Sequence, residues 1–229
     1  MKHDNGSWKE PFDPRLVGTW YQDNFYEAGT WTYSLYVPQD DRGLIAQIGG
    51  KDLFKKRLDL FFEPVFDPNS THSRYRYDVG NEPGFLSPYL YNWIGEQSST
   101  SKTIRTILPE SYHTGLAGND DSGAMGSFLV FNQLGFFPVA AQNFYLIGSP
   151  TFPRSTIMLG NGKTFSVVAD NTFEKNIYIG SVTWNGQPYR KAWFTHDQLM
   201  QGGELKLTMT DKPTHWDTGA PPPSMSDKR

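Results

Sequence analysis

The run Gly118 to Met125, GNDDSGAM, places two adjacent carboxylates between glycines, just ahead of an apolar stretch that predicts a helix. One interpretation is structural, because an Asp or Ser at a helix start accepts hydrogen bonds from free N–H groups and stabilises the helix by ~0.5–2 kcal/mol. The other is chemical, because carboxylate oxygens serve as a general base or as ligands of a hard cation such as Ca²⁺. A cap needs only one acid, so the pair Asp120 and Asp121 favours the chemical interpretation and the wall of an active site.

A further acid, Glu27, lies in the aromatic stretch FYEAGTWTY. Burial among rings is expected to raise the pKa of a carboxyl group, as a general acid at neutral pH requires. A surface glutamate in a loop is an equally open alternative. Trp20 and Trp31 stand on either side of Glu27. Because aromatic faces stack on the C–H faces of sugars, we predict that these two residues contact a sugar, although packing is the commoner role of aromatic residues.

The composition excludes several classes of protein. The 229 residues carry a net charge of −3 and no cysteine, and 15% of them are aromatic. Without cysteine there are no disulfides, thiolate metal sites or cysteine nucleophiles. Without a basic excess or a long Lys/Arg run, neither nucleic acid nor an anionic membrane is expected as a partner. No apolar run approaches the ~18 residues of a membrane-spanning helix.

The first half of the chain contains the helices that must position these acids. Apolar periodicity predicts helices over 39–48, 51–62, 85–93 and 100–108, the last ended by Pro109. The clearest helix runs over 121–134, with Gly135 at the stop position. It begins at the paired acids, so the helix start fixes where their carboxylates lie.

The second half of the chain changes character. The segments FYLIGS, STIML, TFSVVA, NIYIGSVTW and ELKLTM alternate as strands do, and Asn161-Gly162 and Asn185-Gly186 predict hairpin turns between such runs. The fold class is therefore predicted as α+β, with helices first and an antiparallel β-sheet or sandwich after them. The predicted division is a helical region over 1–140, a β region over 141–212 and a disordered, proline-rich tail over 213–229.

Several segments together resemble the C-terminal portion of glycoside hydrolase family 92, the calcium-dependent, exo-acting α-mannosidases. The matching pieces are EPFDP (10–14), YEAGTWTYSLYVPQD (26–40), GLIAQIGG (43–50), GNEP (80–83), YLYN (89–92), GLAGNDDSGAM (115–125), LGFFPV (134–139), YLIGSPTF (145–152), NGKTF (161–165) and THDQLMQGGEL (195–205). GNDDSGAM followed by LGFFPV is the most specific part. The resemblance implies that the helices are the last ones of an (α/α)₆ toroid.

The resemblance also implies roles for particular residues. Glu27 would be the general acid and Asp121 the base that activates water in an inverting mechanism, with Asp121 also a ligand of Ca²⁺. Asn119 stands where the family often has a second acid. Asn81 stands where members that prefer α-1,2 linkages have His, so that preference is not expected. The residues predicted to bind substrate are Trp20, Trp31, Asn81, Glu82, Asn119 and Asp120, with Glu82 in the subsite of the leaving group.

The resemblance further implies a mannose-containing glycan or oligosaccharide as partner. It also implies a secreted, periplasmic or vacuolar location, although no signal-peptide pattern is visible. Whole enzymes of the family are much longer, so the expectation is a fragment of an α-mannosidase that is inactive alone and has the remaining N-terminal half as a partner. The alternative is a non-catalytic carbohydrate-binding or interaction module derived from such an enzyme.

Overall fold

The computed structural model describes residues 4–7, 30–65, 74–75 and 77–228. The predicted site residues Trp20 and Glu27 lie outside these ranges. The α-helices are α1 (Thr30–Tyr33), α2 (Asp41–Ile48), α3 (Lys51–Phe62), α4 (Gln97–Ser111), α5 (Ala124–Leu134) and α6 (His196–Met200), with 3₁₀ helices over Glu82–Gly84, Ser87–Ile94, Asp121–Gly123 and Met225–Lys228. In the described ranges, no helix is both long and apolar enough to cross a bilayer.

The strands are β1 (Pro64–Val65), β2 (Arg74–Tyr75), β3 (Phe136–Pro138), β4 (Phe144–Ile147), β5 (Arg154–Met158), β6 (Thr164–Asp170), β7 (Tyr178–Trp184), β8 (Gln187–Pro188), β9 (Trp193–Thr195) and β10 (Gly203–Thr210). Strands β3 to β10 form a five-stranded sheet in the order β5-β6-β10-β7-β8 and a three-stranded sheet in the order β3-β4-β9. The α+β fold class predicted from the sequence is confirmed.

Helices α2 and α3 form where the sequence predicts them, because their ends are specified locally. The Asp40 carboxylate accepts a hydrogen bond from the Gly43 N–H at 3.2 Å and so caps the first turn of α2. Gly49 ends α2 with a left-handed φ of 106°, a conformation that glycine adopts at little cost. In α3, Phe54, Leu58 and Phe61 share one face and are buried in the helical core.

Helix α4 is longer than predicted at both of its ends. It begins at Gln97 rather than at 100, and it continues through Pro109 to Ser111. Its first turn escaped the apolar pattern because Gln97 is buried by polar contacts, with its Nε2 donating to the carbonyls of Ile147 and Gly148 at 3.3 Å each. The proline lies in the last turn, where losing one N–H removes only one hydrogen bond. The segment predicted as a helix over 85–93 is the tighter 3₁₀ helix Ser87–Ile94.

The larger sheet is mixed rather than purely antiparallel. Strand β10 pairs in parallel with β6 and antiparallel with β7. Since β10 is inserted between two strands that run in opposite directions, it must be parallel to one of them. The Asn185-Gly186 hairpin prediction is confirmed: Trp184 pairs with Gln187, and the two turn residues have φ of 50° and 80°.

The helical half and the β half are joined by buried polar side chains. The Asn92 amide, in the 3₁₀ helix Ser87–Ile94, donates to the carbonyls of Ile147 and Ala192 at 3.1 and 3.0 Å. Thr100 in turn donates to the Asn92 side-chain oxygen at 2.7 Å. These bonds satisfy backbone groups next to β4 and β9 and fix the helices against the sheets.

The prediction of a disordered tail over 213–229 is wrong for the described residues of that segment. Trp216 is only 8% exposed, and its Nε1 donates to the Gln97 side-chain oxygen at 2.9 Å. Further along, Asp227 forms an ion pair with Arg42 of α2 at 2.6 Å. The prolines that suggested disorder instead lie in an extended segment that runs from the β half back to α2.

Candidate active site

The loop that carries the paired acids has an unusual backbone. Asp121, Ser122 and Gly123 have consecutive φ values of 28°, 64° and 89°, directly before α5. The left-handed region costs roughly 1–2 kcal/mol for a residue with a side chain. Such strain persists only where surrounding contacts fix the backbone. The loop is therefore held in place, and the direction of the Asp121 side chain is set with it.

The two carboxylates of this loop have different surroundings. Asp120 Oδ1 accepts a hydrogen bond from the Gly126 N–H in the first turn of α5 at 2.9 Å, and its carbonyl accepts one from the Gly123 N–H at 2.8 Å. Asp121 is exposed and accepts a bond from the Asn119 side-chain amide at 2.6 Å. Among the described residues nothing else hydrogen-bonds the Asp121 carboxylate. Asp120 therefore caps the helix, whereas Asp121 has one oxygen, Oδ2, without a hydrogen-bond partner among the described residues.

The loop 118–123, called the acid loop below, lies against the GNEP segment (80–83), and the contact is between Gly118 and Gly80. A Cβ built on Gly118 would lie 2.5 Å from the carbonyl oxygen of Gly80 and 2.7 Å from its Cα, closer than real Cβ atoms approach. Gly80 is itself fixed, because its N–H donates to Asp78 Oδ1 at 2.8 Å. This contact brings the backbone that carries Asn81 and Glu82 next to the acid loop. Both glycines were missed as site residues, although each begins a motif that the sequence does reveal.

The GNEP side chains are more enclosed than those of the acid loop. Asn81 is buried, and Glu82 is half-buried at the start of the 3₁₀ helix Glu82–Gly84. The Glu82 Oε1 atom is buried and has no hydrogen-bond partner among the described residues. A buried acceptor without a partner is costly, so it is suited to a hydroxyl group of a ligand.

Tyr112 contacts the first turn of α5, next to the acid loop, and was not anticipated from the sequence. Its hydroxyl donates to the carbonyl of Met125 in α5 at 3.0 Å. Burial, and then the nearby charge of Asp120, raise the pKa of Tyr112 to about 12. The phenol therefore stays protonated and keeps this donor bond across the physiological pH range.

Trp31 lies in α1, and its indole contacts two other side chains. The Phe61 ring is stacked at 6.2 Å and 7°, and the Arg57 guanidinium lies 4.7 Å from the ring centroid. Only 9% of the residue is exposed, so protein covers most of the indole. Sugar contact by Trp31 stays a prediction, and the packing role has direct support.

A calcium site is not complete in the described part of the chain. Calcium takes about 6–8 oxygen ligands. Within the described ranges, no group of three or more His, Cys, Asp or Glu side chains could hold a metal ion. Asp121 could be one ligand, but the described residues alone do not form a cation cage.

Comparison with known proteins identifies the class to which this fold and site belong. The model of the glycosyl hydrolase family 92 catalytic domain matches residues 1–211. The chain therefore belongs to glycosyl hydrolase family 92, a family of glycosidases, and the resemblance seen in the sequence is confirmed.

Individual relatives agree with this assignment. An uncharacterized secreted glycosidase of Arthroderma benhamiae is 37% identical over 242 residues, covering 93% of this chain and 30% of the relative. A family 92 α-mannosidase of Bacteroides thetaiotaomicron has a TM-score of 0.85 at 36% identity, covering 97% of this chain and 31% of its own. A family 92 inverting mannosidase of the same organism has a TM-score of 0.84 at 31% identity, covering 97% and 32%. The chain thus spans about a third of the length of these relatives.

Proposed function

We propose that the protein of which these residues form part hydrolyses terminal α-mannosyl linkages with inversion, using Asp121 as the general base. The observation that supports the proposal most directly is that the carboxylates of Asp120 and Asp121 differ in their hydrogen bonds and exposure. Asp120 is occupied by the Gly126 N–H, whereas Asp121 is exposed and has one hydrogen-bond partner, Asn119. The solved relatives described as α-mannosidases support the choice of substrate.

In this mechanism, Asp121 removes a proton from the attacking water. The Asn119 amide donates to Asp121 Oδ1, so it orients the carboxylate and leaves Oδ2 to accept from that water. Glu27, outside the described residues, is proposed to protonate the departing oxygen. Inverting glycosidases hold such carboxyl groups ~6.5–9.5 Å apart, which leaves room for the water between base and sugar.

The GNEP segment is proposed to bind the leaving group. The unpartnered Glu82 Oε1 would accept a hydrogen bond from a sugar hydroxyl. The contact between Gly80 and Gly118 would keep this subsite in register with the base. The proposed substrate is accordingly a mannose-containing glycan, such as an N-glycan, rather than free mannose.

Calcium is proposed as the cofactor on the family resemblance, with Asp121 as one ligand. When bound, a calcium ion would supply positive charge near the sugar hydroxyls. The remaining ligands would come from outside the described residues, from water or from the sugar. Calcium dependence is tested by removing the metal with a chelator and measuring both the unfolding temperature and the bound metal.

These 229 residues by themselves are proposed to be inactive, because the parts of the relatives that they lack make up about two thirds of those proteins. The remaining N-terminal part of the enzyme is then the expected partner. A non-catalytic module is the less favoured alternative. The catalytic-domain model matches nearly the whole chain, and Asp121 in the loop is exposed with one hydrogen-bond partner, Asn119.

The test is mannose release from an aryl α-mannoside by the complete protein, compared with two matched variants. Asp121→Asn removes the base and is expected to lower kcat by about 10²–10⁴-fold. Asp120→Asn keeps an oxygen that can accept from the Gly126 N–H, so it should retain most of the activity. Full activity in Asp121→Asn would show that Asp121 is not the base.

A further inference from the structure

A cavity of about 390 Å³ is lined by residues of α3, α4 and the 3₁₀ helix Ser87–Ile94. Its lining includes Lys55, Asp59 and Phe62 of α3, Glu63 directly after that helix, and Lys102 and Thr106 of α4. Among the described residues, none lines both this cavity and the candidate active site. A cavity of this size accommodates a small ligand.

The charged groups among the described lining residues balance one another. Lys55 pairs with Asp59 at 2.9 Å, and the described lining adds one further cation, Lys102, and one further anion, Glu63. A charged ligand would meet both an attractive and a repulsive group. A neutral polyhydroxylated ligand can instead accept from the ammonium groups and donate to the carboxylates, because each hydroxyl is both donor and acceptor.

The acceptor side of the cavity is preorganised. The Tyr91 hydroxyl donates to Asp59 Oδ1 at 2.9 Å, while Lys55 holds Oδ2 of the same carboxylate at 2.9 Å. Two partners on one carboxylate fix its plane before any ligand arrives. Preorganisation of this kind reduces the entropy that binding must overcome.

One wall of the cavity is apolar. The half-buried Phe62 ring lies 6.2 Å from the Tyr91 ring at an angle of 35°, and Ile107 adds an aliphatic surface. Ser99 and Thr103 also line the cavity and add polar atoms to its surface. An apolar wall with a few convergent polar groups is the usual arrangement of a small-molecule site, and it matches the amphipathic faces of a sugar ring.

We propose that this cavity is a second carbohydrate-binding site, which holds a neutral sugar of the glycan outside the catalytic site. The identity of that sugar as a mannoside rests on the proposed function. The cavity would hold one branch of a glycan while another branch is processed, so its loss would affect large substrates and not small ones.

The experiment is calorimetric titration of α-mannobiose into the protein carrying Asp121→Asn, in which hydrolysis does not consume the ligand. Lys102→Trp places a large ring in the cavity from an exposed helix position. Lys56→Trp makes the same change at an exposed lysine of α3 that does not line the cavity. We expect Lys102→Trp to weaken one of two binding events by about tenfold or more, and Lys56→Trp to leave both unchanged.

A second measurement needs no bulky substitution. In protein without lysine substitutions, mannobiose should slow the acetylation of Lys55 and Lys102 by an amine-reactive reagent, while acetylation of Lys56 should keep its rate. Unchanged binding in Lys102→Trp, unprotected lysines, or tighter binding of glucuronic acid than of mannobiose would each overturn the proposal. Failure of the proposed function would show separately, as absence of aryl α-mannoside hydrolysis by the complete protein with Asp121 intact.

Discussion

At the scale of single residues, the structure separates two aspartates that the sequence presents as equals. Asp120 and Asp121 are adjacent and identical in type, so their spacing alone could not say which one caps α5. The answer depends on a left-handed backbone at Asp121 and Ser122. The sequence does not predict this conformation, because residues with side chains rarely adopt it. The sequence could indicate an acidic site here, but the assignment of each carboxylate needed the hydrogen bonds.

The glycine contact beneath the site leads to a prediction with a matched control. Gly118→Ala should destabilise the protein and weaken binding of the leaving group, because its Cβ would meet the Gly80 carbonyl at 2.5 Å. Gly123→Ala has a similarly left-handed φ, +89° against +62°, but its Cβ would meet nothing within 4 Å. It should therefore show only the conformational cost, roughly 1–2 kcal/mol.

The measurements are chemical unfolding and KM for a disaccharide substrate. A larger loss of stability and a higher KM are expected for Gly118→Ala. Equal effects in the two variants would mean that the contact with Gly80 does not position the loop.

At the scale of elements, the start of α2 contains a buried acid that should make stability depend on pH. Asp41 is 1% exposed, and neither carboxyl oxygen has a hydrogen-bond partner among the described residues. Burial, and then the charge of Asp40, raise its pKa from 3.8 to about 8. The folded state thus holds the proton more tightly than the unfolded state, so the stabilisation present below pH 4 is lost as pH rises through about 8.

We expect Asp41→Asn to remove most of this dependence. The free energy of unfolding of the unaltered protein should fall by an amount on the order of 3 kcal/mol between pH 5 and pH 8 relative to the variant. Urea unfolding at a series of pH values measures it. Asp52→Asn, at an exposed first-turn acid of α3, is the control and should leave the profile unchanged. A profile that Asp41→Asn does not flatten would contradict the assignment.

The C-terminal segment gives a second prediction at this scale. Trp216→Ala should destabilise the protein by about 3–5 kcal/mol, because it removes a buried ring and the bond to Gln97. Asp227→Asn, which breaks a partly exposed ion pair with Arg42, should cost at most about 1 kcal/mol. Thermal unfolding measures both losses, and similar small losses would mean that the segment contributes little to the fold.

The elements themselves were predictable where local signals agree. Helix α3 and the Asn185-Gly186 hairpin have apolar periodicity, glycines and turn residues that all indicate one structure. Helix α4 and the segment after 212 were misjudged because their burial depends on Gln97 and Trp216, which bond to residues far away in the chain. The order of the strands could not be predicted either, because the insertion of β10 between β6 and β7 does not change the alternation of apolar and polar residues in any strand.

At the scale of the whole molecule, the proposed active site combines Asp121, which the structure describes, with Glu27, which lies outside the described residues. The 229 residues span about a third of the relatives they match. We expect this polypeptide alone to release no mannose, and the complete protein to release it. Comparing the two under identical conditions measures the contribution of the remainder, and turnover by the 229 residues that Asp121→Asn abolishes would contradict the expectation.

Inverting hydrolysis with Asp121 as the base is the reaction proposed for the complete protein. Proton NMR of the first product that the complete protein releases from an aryl α-mannoside tests it most directly, since the anomeric signal is read before mutarotation. We predict that β-mannose appears first and that its formation is lost in Asp121→Asn and retained in Asp120→Asn. Initial release of α-mannose, or undiminished β-mannose from Asp121→Asn, would contradict the claim.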